Sequence, residues 1–292
     1  MMKTILITGA TGLLGATLAP YLEKCGHNIA THARTGKADF LVDLADRDKS
    51  FEMLAGIQPR MIINLVSLTS VEQCQDEPQM AYLANTRAVE NISYWIQNTA
   101  SNCHLIQIST DHIYDGAILH TEDEITLTNF YAFSKYAGEL AAERVPSTIL
   151  RTNFIGRSNA SHRESLSDWV YTSLTNSKHV KVLNDVFFSP LSINTLIEMI
   201  KLVIQKRPVG IFNLGSHNGV SKADFAFSFA ERLGLPTETM SRINTQHAAF
   251  LKAYRPRDMR MDCSKFENAL GVKLPQLSDE ILRVAKEYDD VA

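Results

Sequence analysis

The chain has 292 residues, of which 45% are apolar and 21% charged, and its formal net charge is −3 at pH 7. This length allows a large buried core, in one large domain or two modest ones, and the composition is that of an ordinary globular protein. The nearly balanced charge gives no basic stripe for nucleic acid or a membrane surface, and no apolar stretch approaches the ~20 residues that a membrane span needs.

Strand-like and helix-like segments alternate along the first half of the chain. The β-branched run Thr4–Thr8 predicts a short strand, and apolar residues at helical spacing predict a helix over Leu13–Lys24. The same patterns predict further strands at Asn28–His32, Met61–Val66, Leu105–Ser109 and Thr148–Arg151, and further helices at about Lys49–Leu54, Val71–Gln97 and Tyr131–Arg144. Because strands that alternate with helices are joined by right-handed crossovers, the pattern indicates an α/β fold with a doubly wound parallel sheet.

The pattern loosens in the second half of the chain. The polar segment Asn159–Asp168 is typical of a loop or lid, and Pro236–Arg260 has little periodicity. Helices are predicted at Leu191–Ile204 and Ser221–Leu233, and two shorter ones between Ser264 and Tyr288, separated around Pro275. We therefore expect a smaller α/β region packed on the first, with some segments returning to the main sheet.

The four cysteines, Cys25, Cys74, Cys103 and Cys263, are scattered and form no CxxC pair. This usage favours reduced thiols over a disulfide framework, and no His/Cys/Asp cluster has the spacing of a metal site, so we expect no catalytic metal. The N-terminal apolar run is short and lacks the cleavage site of a signal peptide. We expect a cytoplasmic protein that binds neither nucleic acid nor a membrane.

A glycine-rich turn follows the first predicted strand and opens the first predicted helix. Its sequence is Gly9-Ala10-Thr11-Gly12-Leu13-Leu14-Gly15. The first glycine permits the sharp bend, the second lets the backbone approach a pyrophosphate, and the third lets the helix pack on the strand, while the helix N-terminus attracts phosphate. We predict a dinucleotide-binding Rossmann domain over residues 1–152, with segments near 185–215 returning to it, and a mainly substrate-binding region over residues 153–292.

The segment ~20 residues beyond this turn determines whether NAD or NADP binds. An acidic residue there would bind the ribose hydroxyls of NAD, but the segment Ala30–Lys37 has no carboxylate. Arg34 would instead pair with the 2′-phosphate of NADP, so the sequence favours NADP(H) over NAD(H). A solvated arginine in a turn is the alternative interpretation.

Tyr131 and Lys135 stand four residues apart on a predicted helix and therefore share one of its faces. A phenol has a pKa of about 10 in water, and a nearby ammonium together with the positive oxidised nicotinamide would stabilise its phenolate. Thr110, at the end of the fourth predicted strand, is placed to hydrogen-bond a reacting carbonyl or alkoxide. A plain amphipathic helix is the alternative for the Tyr–Lys pair, but the glycine-rich turn favours a catalytic role.

At these residues the chain resembles the extended short-chain dehydrogenase/reductase superfamily, and within it the dTDP-4-dehydrorhamnose reductase-like family. The resemblance runs over nearly the whole chain. Besides Gly9–Gly15 it rests on Asn64-Leu65-Val66 with Thr69 and Val71, on Asn85, on Ser109–Gly116, on Tyr131–Lys135, on Leu150-Arg151-Thr152 and on Arg255-Pro256. The segment Ser109-Thr110-Asp111-His112-Ile113-Tyr114-Asp115-Gly116 is the most specific of these.

The resemblance implies a role for each residue that matches the family's motifs. Tyr131 would be the general acid–base, Lys135 would bind the nicotinamide ribose and lower the tyrosine pKa, and Thr110 would orient the substrate carbonyl. The cofactor would contact the glycine-rich turn, Tyr131 and Lys135, together with Arg34, Asp43, Leu44, Leu65, Val66 and Ser67. The substrate would contact Thr69, Thr110, Asp111, Tyr131, Asn153, Phe154 and Arg255.

The implied reaction is hydride transfer from the nicotinamide to C4 of a nucleotide-linked 4-keto-6-deoxyhexose, in dTDP-rhamnose and polysaccharide biosynthesis. The chain departs from the family near the sugar, because Asn153-Phe154 stand where Ser-Trp is usual and His112 replaces a frequent aromatic residue. These departures leave the hexose open.

Two other functions share these motifs. A nucleotide-sugar epimerase or dehydratase would use the same Tyr–Lys pair but keep its cofactor tightly bound and regenerate it. A non-catalytic NADP-binding regulatory subunit would need the fold alone, and the intact Tyr131, Lys135 and Thr110 argue against it. By analogy with relatives, a homodimer through helices that flank the sheet is also expected.

Overall fold

A seven-stranded parallel sheet forms the centre of the computed structural model, which describes residues 4–99, 102–117 and 119–291. In spatial order the strands are β11 (Gly210–Leu214), β6 (Ser147–Thr152), β5 (His104–Thr110), β4 (Met61–Asn64), β1 (Ile5–Thr8), β2 (Ile29–Ala33) and β3 (Phe40–Leu41). Every neighbouring pair runs parallel. The chain order reverses at β1, the position where open α/β sheets bind ligands at the carboxyl ends of their strands. This sheet confirms the predicted doubly wound α/β fold.

Successive side chains of the central strands pack on opposite faces of the sheet. In β1, Ile5 and Ile7 belong to the core on one face, and Leu6 belongs to the core on the other. In β4, Ile63 belongs to the same core as Ile5 and Ile7, and Ile62 belongs to the same core as Leu6. Both strands are buried at every position, because helices cover both faces of a parallel sheet.

One face of the sheet is covered by α1 (Gly15–Lys24), α8 (Ile193–Lys206) and α10 (Ser264–Leu270). The other face is covered by α2 (Arg47–Ile57), α5 (Ala88–Thr99) and α6 (Phe130–Ala142). Because α1 begins directly after the glycine-rich turn, its N-terminus lies at the carboxyl end of β1.

The prediction of one continuous helix over Val71–Gln97 is wrong. The segment forms α3 (Val71–Asp76), α4 (Pro78–Tyr82), a π-helical turn (Leu83–Arg87) and then α5. Pro78 has no N–H to donate to a preceding turn, so it begins a new helix. The π-helical turn contains Asn85, whose carbonyl oxygen lies so close to α6 that a Cβ on Gly138 would clash with it.

A smaller core lies beyond the central sheet. It is bounded by three two-stranded sheets, in which β7 (Phe154–Ile155) pairs with β10 (Leu191–Ser192), β8 (Val180–Leu183) with β13 (Met240–Ile243), and β9 (Phe187–Phe188) with β12 (Val220–Ser221). Three helices complete it: α7 (Leu166–Thr175), α9 (Lys222–Arg232) and α11 (Leu277–Ala285). Phe188, Phe225 and Phe229 are buried in this core. The division of the chain at residue 152 stays a prediction.

The cysteines are free thiols, and Cys74, Cys103 and Cys263 are buried. Within the described ranges, no helix is both long and apolar enough to cross a bilayer. In those same ranges, no three His, Cys, Asp or Glu side chains are grouped so that they could hold a metal ion.

Candidate active site

The glycine-rich turn brings β1, α1 and the residues after β4 into close contact. Gly9 has φ = +67°, and a Cβ on it would lie 3.1 Å from the carbonyl carbon of Leu65. A Cβ on Gly15 would lie 2.6 Å from the carbonyl oxygen of Gly9, so only glycine lets α1 pack this tightly on the turn. Thr11, at the outer side of the turn, is exposed. The turn therefore leaves the backbone at the N-terminus of α1 bare, as a bound pyrophosphate requires.

The loop after β2 places two exposed cations beside the turn. It contains Arg34 and Lys37, and a Cβ on Gly36 would lie 3.4 Å from Cγ2 of Thr11. The nearby carboxylate of Asp39 is engaged elsewhere, because it accepts hydrogen bonds of 2.8 Å from both the backbone N–H and the hydroxyl of Thr31. The loop beside the glycine-rich turn thus has positive side chains and a carboxylate that is already hydrogen-bonded.

Two of the predicted cofactor contacts, Asp43 and Leu44, lie on the segment that follows β3. Asp43 is exposed, and its Oδ1 accepts a hydrogen bond of 3.0 Å from the backbone N–H of Ala45. Leu44 is buried, and its carbonyl oxygen accepts a hydrogen bond of 2.8 Å from the Asn91 amide of α5. The Leu44 side chain is therefore part of the core rather than of an open surface.

Tyr131 lies in the first turn of α6, at the carboxyl end of β5. The helix begins there because the Oδ1 atom of Asn129 accepts a hydrogen bond of 2.8 Å from the backbone N–H of Ala132. The phenol hydroxyl lies near the hydroxyls of Thr110 and Ser67, and burial raises the pKa of Tyr131 although these two neighbouring groups act in the opposite direction. The structure thus brings together three hydroxyls from three separate segments.

Lys135 lies one turn further along the same buried face of α6. Its ammonium donates a hydrogen bond of 2.7 Å to the carbonyl oxygen of Ile108. Burial lowers the pKa of Lys135 to about 8, although the negative charge of Glu139 opposes the shift. Glu139, another turn along, forms an ion pair of 2.7 Å with Arg151 of β6 and accepts a hydrogen bond from Ser109.

Asn85 fixes the loop that follows β4. Its Oδ1 accepts hydrogen bonds of 2.7 Å from the backbone N–H of Leu68 and 3.0 Å from the Ser67 hydroxyl. Its Nδ2 donates hydrogen bonds of 3.1 Å to the carbonyl oxygen of Leu68 and 2.9 Å to the Ser134 hydroxyl of α6. Asn85 therefore holds Ser67 against α6, rather than facing the cleft with a free side chain.

Asp111, one of the predicted substrate contacts, is fully buried. Its Oδ2 accepts a hydrogen bond of 2.8 Å from the amide of Asn153, and its Oδ1 lies 3.3 Å from the Thr110 hydroxyl. Burial raises the pKa of the Asp111 carboxyl to about 6, while the Asn153 hydrogen bond and the charge of Lys222 act in the opposite direction. His112 packs edge-on against the Tyr131 ring, with 5.3 Å between ring centroids, and burial lowers its pKa to about 3.

Three further residues were predicted to contact the substrate: Arg255, Phe154 and Thr69. Arg255 is held by both carboxylate oxygens of Glu72 in α3, and its side chain is 11% exposed, so it is not a free surface arginine. Phe154 packs against the main core, and Thr69 is exposed on the loop before α3. The roles of Phe154 and Thr69 stay predictions.

Sequence reasoning missed Lys222, the first residue of α9. It is half-buried, and its ammonium lies within electrostatic reach of Asp111, Arg255 and Glu72. The only local signal was Ser221, which caps α9 by accepting a hydrogen bond of 3.0 Å from the backbone N–H of Asp224. Nothing in the sequence near position 222 shows that this helix begins at the cleft.

Residues 2–290 match the RmlD substrate binding domain family. The chain belongs to this family. The match confirms the resemblance to dTDP-4-dehydrorhamnose reductases within the extended short-chain dehydrogenase/reductase superfamily.

Two relatives match along nearly their full lengths. The chain is 26% identical to dTDP-4-dehydrorhamnose reductase from Escherichia coli, over 97% of each chain. It is 25% identical to a probable low-salt glycan biosynthesis reductase from Haloferax volcanii, over 97% of this chain and 98% of the relative.

Solved structures show the same fold. The dTDP-4-dehydrorhamnose reductase of Bacillus anthracis in complex with NADP superimposes with a TM-score of 0.87, at 22% identity, over 98% of this chain and 100% of the other. The UDP-glucose 4-epimerase of Thermus thermophilus in complex with NAD superimposes with a TM-score of 0.84, at 17% identity, over 99% of this chain and 100% of the other. Reductases and epimerases therefore share the architecture of this RmlD-family chain.

Proposed function

We propose that the protein is an NADPH-dependent reductase of a nucleotide-linked 4-keto-6-deoxyhexose. The observation that carries the proposal is the group formed by the buried hydroxyls of Tyr131 and Thr110 at the carboxyl end of β5 and the half-buried Ser67 hydroxyl after β4, with Lys135 one helical turn beyond Tyr131. This group lies at the same edge of the sheet as the glycine-rich turn, so a dinucleotide seated on that turn would extend toward it. The relatives described as dTDP-4-dehydrorhamnose reductases support the same reaction.

The glycine-rich turn fits a dinucleotide. At Gly9 and Gly15 a Cβ would meet backbone atoms at 3.1 and 2.6 Å, so these positions accept no side chain without a shift of the turn. Gly9 to Gly15 would hold the pyrophosphate, Leu65, Val66 and Ser67 would line the nicotinamide half, and Lys135 would bind its ribose. When bound, the reduced nicotinamide supplies a hydride to the substrate carbonyl carbon.

Tyr131 would act as the acid for the reduction. Because burial raises its pKa, the phenol is fully protonated at neutral pH and has a proton to give to the forming alkoxide. The Thr110 hydroxyl would hydrogen-bond the same substrate oxygen and fix its direction. Once the proton has left, the Lys135 ammonium and the hydroxyls of Thr110 and Ser67 would stabilise the phenolate.

Arg34 supports a preference for NADP(H). Its guanidinium is exposed in the loop beside Thr11, and the described residues offer it no ion pair, so it is available to a 2′-phosphate. Lys37 of the same loop adds a second positive charge, while hydrogen bonds to Thr31 hold the carboxylate of Asp39. This arrangement favours a phosphate over free ribose hydroxyls.

The test is a coupled measurement of NADPH absorbance and product formation with purified protein and a panel of nucleotide-linked 4-keto-6-deoxyhexoses, dTDP-linked sugars first. We expect stoichiometric NADPH consumption by the wild type. The Tyr131→Phe variant should lose on the order of 10²- to 10⁴-fold in kcat with little change in NADPH affinity. Tyr94→Phe, at an exposed tyrosine of α5, is the matched control and should keep full activity.

Two results would contradict the proposal. Interconversion of nucleotide sugars without net NADPH consumption would assign the protein to the epimerases. Full retention of every measured function by Tyr131→Phe would favour a binding subunit without catalysis.

A further inference from the structure

A cavity of about 610 Å³ lies at the amino edge of the central sheet, at the opposite end of the strands from the candidate active site. Three segments line it: the residues between α1 and β2, the residues that lead into β4, and the end of α8. Its volume is within the range of about 300–1,000 Å³ that small-molecule sites have. A ligand in this cavity would therefore be distinct from the cofactor and the substrate proposed above.

The ionisable side chains that line this cavity are basic. They are those of His27, Arg60 and Arg207, and no aspartate or glutamate of the described residues lines it. In the part of the chain that the structure describes, neither guanidinium forms an ion pair. The ammonium of Lys206, next to Arg207, is already engaged, because it donates a hydrogen bond of 2.6 Å to the carbonyl oxygen of Leu270. The two arginines are therefore available to an anion that is not part of the chain.

Backbone hydrogen bonds fix the points from which the three basic side chains extend. The N–H of Arg60 donates a hydrogen bond of 3.0 Å to the carbonyl oxygen of Thr4, and that of Arg207 donates one of 2.8 Å to the carbonyl oxygen of Val203 in α8. The N–H of His27 closes the end of α1 with a hydrogen bond of 3.1 Å. Because the fold fixes these backbone positions, a ligand has to order only the outer parts of the side chains, which reduces the entropy cost of binding.

Arg207 adopts a backbone conformation that is unfavourable for an arginine. Its φ of 49° and ψ of 53° lie in the left-handed region, which glycine adopts without the steric cost that a side chain brings. Glycine is the usual residue at the end of a helix in this conformation, and Gly271 occupies it at the end of α10. An arginine here costs backbone stability and places a guanidinium at the cavity, and such strained positions cluster at ligand sites.

The geometry points to a second ligand site, in which Arg60 and Arg207 bind the phosphate group of a small phosphate ester. A guanidinium donates two parallel hydrogen bonds to an anion, so a single arginine already satisfies the two oxygens of a carboxylate. Two guanidiniums from separate segments instead match the three free oxygens and the double charge of a phosphate ester. Ile5 and Ile204 line the same cavity and would contact the organic part of the ester. The inference is independent of the proposed function, because the cavity shares no lining residue with the candidate active site.

The test is isothermal titration calorimetry of the full chain with four probes: glucose 1-phosphate, AMP, inorganic phosphate, and glucuronate as a carboxylate of similar size. Saturating NADPH is present throughout, so that the proposed pyrophosphate site on the glycine-rich turn is already filled. The variants are Arg60→Gln and Arg207→Gly. Arg232→Gln is the matched control, because Arg232 is an exposed arginine in the last turn of another helix, α9.

We expect wild type to bind at least one of the two phosphate esters more tightly than inorganic phosphate, and to bind glucuronate more weakly than either. Arg60→Gln and Arg207→Gly should each raise the Kd of that ester by about 5- to 30-fold, the effect of losing a charge-assisted contact that solvent partly screens. The melting temperature of Arg207→Gly should equal or exceed that of wild type, because glycine relieves the left-handed backbone. Arg232→Gln should bind the ester as wild type does.

Three outcomes would overturn the inference. The first is that wild type binds none of the phosphate probes, and the second is that both cavity variants bind them with wild-type affinity. The third is that glucuronate binds as tightly as the esters, which would remove the reason for assigning a phosphate. If neither ester binds more tightly than inorganic phosphate, the ester assignment is overturned in favour of the bare ion.

Discussion

Arg151 and Glu139 form an ion pair that is almost completely removed from solvent. Their side chains are 1% and 0% exposed, and the shortest distance between guanidinium nitrogen and carboxylate oxygen is 2.7 Å. The pair joins β6 to α6, the helix that carries Tyr131 and Lys135. Its geometry therefore affects both the stability of the fold and the position of α6.

Arg151→Met should destabilise the protein by about 3–5 kcal/mol, because it leaves the buried carboxylate of Glu139 without its cation. The free energy of unfolding in urea measures the effect. Arg242→Met is the matched control, since Arg242 and Asp224 form a pair whose side chains are 43% and 46% exposed. That control should cost less than about 1 kcal/mol. Equal losses in the two variants would show that burial does not set the strength of the Arg151–Glu139 pair.

Gly15→Ala should weaken NADPH binding by on the order of tenfold or more. The added methyl group would lie 2.6 Å from the carbonyl oxygen of Gly9 and 2.7 Å from Cα of Ala10, so α1 must move away from the turn that we propose holds the pyrophosphate. Fluorescence titration with NADPH measures the loss. Gly56→Ala is the control, because nothing lies within 4 Å of a Cβ at Gly56 in α2, and NADPH binding there should not change. Wild-type affinity in Gly15→Ala would contradict the tight packing described for the turn.

Arg34→Gln should raise the KM for NADPH by roughly 5- to 30-fold and change the KM for NADH by less than about twofold. The reason is that the exposed guanidinium would bind only the cofactor that carries a 2′-phosphate, with a strength reduced by solvent screening. Steady-state kinetics with both cofactors check the ratio, with Lys24→Gln at the end of α1 as an exposed-cation control. A wild type that prefers NADH, with no effect of Arg34→Gln on either KM, would contradict the NADP(H) assignment.

The stability of the cofactor-free protein should rise between pH 7 and 9.5 relative to that of Lys135→Met. Burial lowers the folded-state pKa of Lys135 to about 8, whereas an unfolded lysine titrates near roughly 10.4. Below pH ~8 both states are protonated and the buried charge costs its full penalty; above it the folded state loses its proton first, and the penalty is relieved. The expected gain is about 2 kcal/mol, measured by urea unfolding of both proteins across the range. Parallel curves for the two proteins would contradict the lowered pKa.

Local sequence patterns were sufficient for the part of the fold that depends on near neighbours. The turn at Gly9–Gly15 follows directly from its glycines, and helical spacing placed Tyr131 and Lys135 on one buried face of α6. The sequence predicted that segments near 185–215 return to the main sheet but did not identify Gly210–Leu214 as a strand, because these five residues become a strand only through pairing with β6. Such pairing depends on residues more than fifty positions away, which periodicity within a short window does not register.

The same distinction between local patterns and contacts between distant segments applies to the site. Thr110 was predicted from its position at the end of a strand, and Asp111 and Asn153 from the family resemblance; the structure joins the three by hydrogen bonds. Lys222 was missed because it belongs to α9 of the smaller core. Only the orientation of that helix brings its ammonium within electrostatic reach of Asp111. The break before Asn85 was missed because Pro78 lies between two segments that each have good helical spacing.

The position of β11 at the edge of the main sheet has a consequence for synthesis on the ribosome. The strand β6 is buried at every position in the finished protein, but one side of it has no neighbour until Gly210–Leu214 has been translated. At elongation rates of about 5–20 residues per second, the unpaired N–H and C=O groups along this edge stay open for several seconds. Nascent chains that stall in this interval would present a ready template for aggregation, which makes them candidates for chaperone binding.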